Sequence, residues 1–236
     1  MMLAHRRYWR AIAAIIEAEA PLIPDWAAER RDMVEKQLRR RGIRDPRVLR
    51  AMGEIPREEF VPAEYRLVSY QDDPVPLGYG QTISQPYMTA LMAQELELTG
   101  TETVLEVGAG SGYAAAVLGA LARTVVSIDI VPAMAQLARE NLHRTGRDSN
   151  VTVIEGDGSL GYPELAPFDA ISVAAGAPDV PATLLAQLQD PGRLVIPVGR
   201  LDDQELRVLR KADGRTETRV STLCRFVPLR GGEGWS

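Results

Sequence analysis

Glu106-Val107-Gly108-Ala109-Gly110-Ser111-Gly112 stands between a β-rich run, Thr103–Val107, and an alanine-rich run with helical character, Tyr113–Leu121. Glycine at these positions permits a tight turn and lets the backbone approach a ligand closely, at the N-terminus of the following helix. The spacing is Gly-x-Gly-x-Gly. A nicotinamide-dinucleotide loop, Gly-x-Gly-x-x-Gly, would place glycine at position 113, which is tyrosine. Downstream the signals keep alternating. Strands are predicted at Thr124–Ile128, Val151–Ile154, Phe168–Val173 and Arg193–Val198, with helices at Pro132–Thr145 and Pro181–Leu188. Glu205–Leu209 and Thr218–Val227 read as two more strands that pair antiparallel. This alternation predicts an α/β fold with a mostly parallel, doubly wound sheet.

Upstream of the loop the chain is helical and then irregular. Residues 1–25 read as an N-terminal helical extension, whose Tyr8, Trp9, Ile12, Ile15 and Ile16 would pack on the domain or on a second copy. A helix from Asp25 or Trp26 to Gly42 buries Met33, Val34 and Leu38, and a shorter one runs from Asp45 to Met52. Residues 60–86 lack periodicity and read as an ordered loop. Helical spacing returns from Pro86 to Leu98 through Met88, Leu91, Met92 and Leu96. The expected division is therefore 1–25, a helical and loop region 26–100, and a ligand-binding core 101–236.

Composition narrows the classes of function. Hydrophobic residues make up 45% and charged residues 25%, the mix of an ordinary globular protein. The 27 basic residues against 32 acidic ones leave a net charge of −5, which argues against nucleic acid as the main partner. The arginine run Arg39, Arg40, Arg41, Arg44, Arg47 and Arg50 reads as a solvated helix face. Cys224 is the only cysteine, expected as a small core residue, so no intramolecular disulfide forms. The apolar stretch Ala11–Ile16 is too short for a signal peptide, and nothing approaches the roughly 20 apolar residues of a membrane span. The expected compartment is the cytoplasm.

Two acids strengthen the glycine loop. Asp129 ends the second strand of the alternating region, where a carboxylate accepts ribose hydroxyls; the alternative is a helix cap before Pro132. Asp157, in Gly156-Asp157-Gly158, follows the third strand. It is placed to meet an adenine amino group or to serve as a turn aspartate. With Glu106 two residues before Gly108, the loop resembles the S-adenosylmethionine (SAM) loop of Rossmann-like methyltransferases.

A second string, Gly80-Gln81-Thr82-Ile83-Ser84-Gln85-Pro86, is more specific. With Arg57–Pro62, Asp73–Gly78, Val104–Tyr113, Gly156–Gly158, Pro167–Ile171, Val180–Pro181, Gly192–Gly199 and Arg225–Leu229, it makes residues 26–229 resemble the protein-L-isoaspartate O-methyltransferase family. The resemblance implies a Rossmann-like SAM-dependent methyltransferase acting on the free carboxylate of isoaspartyl residues in damaged proteins and peptides. The methyl ester then closes to a succinimide without the enzyme. Ser84 would bind and orient the substrate carboxylate, although a helix N-cap is the competing role. Gln81, Thr82, Ile83, Glu106, Gly108, Gly110, Gly112, Asp129, Gly156, Asp157 and Gly158 would hold the cofactor. Ala174–Ala177, chiefly Ala175 and Gly176, would offer backbone to the substrate or form a tight turn. Gly176 stands where the family commonly has alanine.

An isoaspartyl α-carboxyl, with a reference pKa of about 3.3–3.7, is ionised at pH 7, so no general base is required. Consistently, no histidine, cysteine or lysine falls in these motifs around the expected site; His5 lies outside them, and His143 is expected on an exposed helix face. No metal is implied. The expected state is a monomer, with the N-terminal extension as the surface a dimer would use. Rival readings are a carboxyl methyltransferase dedicated to one peptide's aspartate, a SAM-binding interaction module, and a nicotinamide oxidoreductase, the last disfavoured by Tyr113.

Overall fold

The computed structural model of the chain describes residues 24–235. The expected helix within residues 1–23 lies outside them. Asp25 opens a helical stretch, its Oδ1 accepting from Ala28 N at 3.0 Å. The stretch runs through α1 (Trp26–Asp32), a π turn over Met33–Leu38 and a 3-10 turn over Arg39–Arg41. It stops at Gly42, whose φ of 93° is left-handed. Met33, Val34 and Leu38 are buried, as their spacing predicts. Asp45 then caps α2 (Pro46–Glu54) through Arg47 N. Within the arginine run, Arg39 pairs with Glu35 and Arg41 with Asp72, while Arg47 donates to the carbonyls of Leu98 and Leu121.

Residues 60–86 are more ordered than a loop. They carry a 3-10 turn at Ala63–Val68 and a hairpin, β1 (Val75–Gly78) with β2 (Gln81–Ile83). Nothing periodic announces these strands, because they are three or four residues long and Pro76 interrupts one of them. The turn uses left-handed backbone at Gly78, Tyr79 and Gly80. Helix α3 (Pro86–Glu95) follows.

The alternating region matches its expectation closely. It comprises β3 (Thr103–Val107), α4 (Tyr113–Gly119), β4 (Thr124–Asp129), α5 (Pro132–Arg144), β5 (Val151–Glu155) and β6 (Phe168–Val173). After these come α6 (Ala182–Ala186), β7 (Leu188–Gly199), β8 (Gln204–Ala212) and β9 (Arg215–Cys224). Strand β7 starts at Leu188, before the expected Arg193, and β9 stops at Cys224, before the expected Val227. One seven-stranded sheet results, in the order β5-β4-β3-β6-β7-β8-β9. The first five strands are parallel, and β8 and β9 extend the sheet antiparallel.

Neighbouring residues of the central strands point to opposite faces, and both faces are buried. Val104, Val125 and Ala170 share one core with Met33, Leu38, Met52 and Leu96 of the N-terminal region; Leu105, Val126 and Ile171 belong to the other. Strand order reverses at β3, which has β4 on one side and β6 on the other. The crevice beyond the carboxyl ends of these strands is where open α/β sheets bind ligands. Cys224 departs from its expected core position: it is half-buried at the end of the edge strand, where burial pushes its thiol up to about 11. His143 is exposed on α5, bonded to Asp148.

Candidate active site

Strand β3 delivers the glycine loop to this crevice. Gly108 N and Ala109 N both donate to the Ile128 carbonyl, at 2.7 and 3.2 Å, so the loop folds back over the end of β4. Gly110 N donates to Asp129 Oδ2 at 2.9 Å, and Val131 N donates to Asp129 Oδ1 at 2.9 Å. One carboxylate thus braces both the loop and the start of α5, whose N-cap residue is Val131. Gly112 serves packing: with φ of 84°, it lies where a Cβ would stand 3.1 Å from the Ala138 carbonyl oxygen on α5.

The hairpin forms the facing wall. Leu77 of β1 seats against Gly110, and β2 lays Gln81, Thr82 and Ile83 along the cleft ahead of Ser84. About 450 Å3 of space separates these residues from Gly108, Ala109, Gly110, Ser111 and Asp129. Thr89, Tyr113, Ala114, Ala174 and Val227 complete the lining. Gln85, not Ser84, is the N-cap of α3, and no side chain caps that helix. The Ser84 hydroxyl is therefore not committed to the helix terminus. Among the described residues, no lysine, arginine, histidine or cysteine lines the cleft.

Glu106 lies one residue deeper than the loop. It is fully buried, sits opposite Ser127 and Ser172 in the sheet register, and accepts a hydrogen bond from Ser127 Oγ on Oε2. Its Oε1 has no partner. With Ser84, Thr89 and Ser172 it lines a second pocket of about 340 Å3. Burial pushes its carboxyl up to about 8, against the Ser127 bond, and nearby Asp129 adds to the rise. Burial also raises Asp129, opposed by the amides of Gly110 and Val131. Two buried acids with no cation on the cleft wall favour a ligand that carries positive charge.

Other expected site residues lie outside this cleft. Asp157 Oδ1 accepts from Ser159 N at 2.9 Å and from Ser159 Oγ at 2.6 Å, and Oδ2 accepts from Gly232 N at 2.7 Å. Its carboxylate is the turn aspartate and the anchor of the C-terminal segment. Gly156 N donates to the Asp129 carbonyl at 3.0 Å, and Gly158 sits where a Cβ would come within 2.6 Å of Val107. Gly176 has no free backbone for a substrate. Its N–H donates to the Val227 carbonyl at 2.8 Å, and its carbonyl accepts from Leu229 N at 2.8 Å and Trp235 Nε1 at 3.0 Å. Ala175 is buried, and Ala174 is the member of that turn that reaches the cleft. Thr89, Tyr113 and Val227 escaped the sequence reading because they fall in stretches whose apolar pattern reads as core or strand.

A family model described as protein-L-isoaspartate(D-aspartate) O-methyltransferase (PCMT) matches residues 28–234. The chain belongs to this family. It is 56% identical to protein-L-isoaspartate O-methyltransferase 2 of Marinobacter nauticus, over 87% of this chain and 94% of that protein. It is 50% identical to protein-L-isoaspartate O-methyltransferase of Koribacter versatilis, over 93% and 98% respectively. A solved structure from Plasmodium falciparum, described as a protein-L-isoaspartate O-methyltransferase in complex with S-adenosyl-L-homocysteine, matches with a TM-score of 0.74. That match is 28% identical and covers 85% of this chain and 98% of that one. Gln81, Thr82, Ile83 and Ser84, from the family-specific string Gly80–Pro86, face Gly108–Ser111 of the general methyltransferase glycine loop across the cleft.

Proposed function

We propose that this chain transfers a methyl group from SAM to the free carboxylate of L-isoaspartyl residues in damaged proteins and peptides, as the first step of repair. The observation that carries the reading is the position of Ser84: its hydroxyl is free of the helix cap and it faces Gly108, Gly110 and Asp129 across one cleft. The residues present suit a cationic nucleoside. Asp129 would accept the ribose hydroxyls, the glycine loop leaves room for close backbone approach, and the unpartnered Oε1 of Glu106 lies beneath. When bound, SAM supplies a methyl group activated by its sulfonium.

The chain's own task is then positional. The substrate carboxylate is already ionised at neutral pH, which suits a cleft whose wall, among the described residues, holds no lysine, histidine or cysteine. Ser84 donates its hydroxyl to one carboxylate oxygen and aims the other along the transfer axis, while Gln81, Thr82 and Ile83 close one side against water. Holding the partners in line supplies much of the rate, and effective molarity reaches roughly 7–11 kcal/mol in favourable cases. The lone cysteine supports a reducing, cytoplasmic setting. Among the described residues no helix is long and apolar enough to cross a membrane.

Ser84→Ala tests the reading. The variant is expected to bind SAM as the wild type does and to lose turnover by about tenfold or more, as for a group acting mainly in the transition state. Isothermal titration and steady-state kinetics check the two halves. Wild-type turnover would remove Ser84 from the mechanism.

A further inference from the structure

Arg57 is the largest fully buried side chain of the described residues, and no carboxylate pairs with it directly. Its Nε donates to the Ser69 carbonyl at 2.6 Å and its Nη2 to the Ser84 carbonyl at 2.8 Å. The guanidinium carbon lies 4.9 Å from the centroid of the Tyr113 ring, the first residue of α4 and part of the cleft lining. Nη1 has no partner at all. Burying a cation without a counter-ion is costly, and a core that needed only filling would be served better by an apolar side chain. The adjacent Glu58 does not relieve the cost, because it is taken by Arg30 and Tyr70.

The arrangement has one geometric consequence. A rigid guanidinium fork bonded to two carbonyls and set against an aromatic ring fixes the peptide plane that follows Ser84 relative to the helix that follows the glycine loop. We propose that Arg57 is a positioning residue for methyl transfer: through the Ser84 carbonyl it holds the Ser84 hydroxyl in register with the cofactor side of the cleft. It is absent from the residues lining the cleft, so the proposed action runs through Ser84. The proposal rests on the role of Ser84 given above.

Arg57→Lys keeps the charge but not the fork, and Arg57→Met removes both. Each is compared with wild type, with Ser84→Ala and with the Arg57→Lys/Ser84→Ala double variant, measuring thermal midpoint, SAM affinity and steady-state constants on an isoaspartyl peptide. The expected result is a kcat lowered about tenfold in Arg57→Lys and further in Arg57→Met, with SAM affinity within about twofold of wild type. The double variant should be no slower than Ser84→Ala alone, because one residue acts through the other. Multiplicative losses in the double variant, or losses of SAM affinity that track turnover, would overturn the proposal and leave Arg57 a structural anchor. An unimpaired Ser84→Ala would instead sink the functional reading on which it rests. If neither Arg57 variant folds, 15N-arginine spectra of the wild type decide. The Arg57 Nη signals should shift when peptide saturates the enzyme with S-adenosylhomocysteine bound, and unmoved signals would overturn it.

Discussion

Asp129 shows how one side chain takes two structural duties and still suits a third. Its two oxygens accept from Gly110 N and Val131 N, and each oxygen retains acceptor capacity toward the cleft. Asp129→Ala is expected to weaken SAM binding by about 1.5–3 kcal/mol, the range for charge-assisted bonds. Titration calorimetry would read it, and an unchanged dissociation constant would reduce Asp129 to a loop brace. Glu106 gives a prediction in pH. Burial pushes its carboxyl up from the ordinary 4.5 to about 8, so folding takes up a proton across that window. Stability from this group is therefore highest at low pH and falls as pH rises from 4.5 through 8. Glu106→Gln, a mimic of the protonated acid, should abolish that slope. Chemical denaturation between pH 5 and 9 should show wild type losing ground to the variant, and parallel curves would contradict the assignment. That Gly108, Gly110, Asp129 and Ser84 share one cleft follows the sequence expectation, because close approach and terminal position restrict the residue types allowed. Asp157 reads in the sequence as a turn aspartate, but the distant contacts of Asp157 and Gly176 do not read there. Their partners, Gly232, Val227, Leu229 and Trp235, come from a C-terminal segment 51 to 75 residues away that no local pattern connects to them.

Among the elements, the hairpin β1–β2 walls the cleft through Gln81, Thr82 and Ile83, and the C-terminal segment 225–235 reaches it at Val227. The hairpin reads as loop in the sequence because its strands are too short for alternation and its turn is built from left-handed residues. The parallel strands, by contrast, were legible almost to the residue, since both faces of the sheet are buried and the runs are continuously apolar. The C-terminal segment is fastened at Asp157, at Gly176 and at Thr183, whose N–H and hydroxyl bond to Glu233. Gly176 is required by its neighbour: an added Cβ would collide with the amide of buried Gln204, which bonds to Phe226 N at 2.8 Å and to the Phe226 carbonyl at 3.3 Å. Gly176→Ala should therefore destabilise this chain by about 1–3 kcal/mol through overpacking. A thermal midpoint equal to wild type would show that Gln204 yields freely.

For the molecule as a whole, the N-terminal helices cover one face of the sheet and carry Arg57 beneath Ser84, while the sheet presents the glycine loop and Asp129 opposite. The chain thus brings residues from before and after Gly100 to one cleft, a meeting that the sequence resemblance implied and local periodicity did not reveal. Which carboxylate the cleft serves is the central claim. The direct measurement is methyl transfer from labelled SAM to an isoaspartyl peptide and to its normal aspartyl twin. Strong labelling of the isoaspartyl peptide and none of its twin is expected. Equal labelling of both would contradict it by showing no selection for the isoaspartyl carboxylate, and labelling of neither with SAM binding intact would contradict it and point to a dedicated peptide substrate.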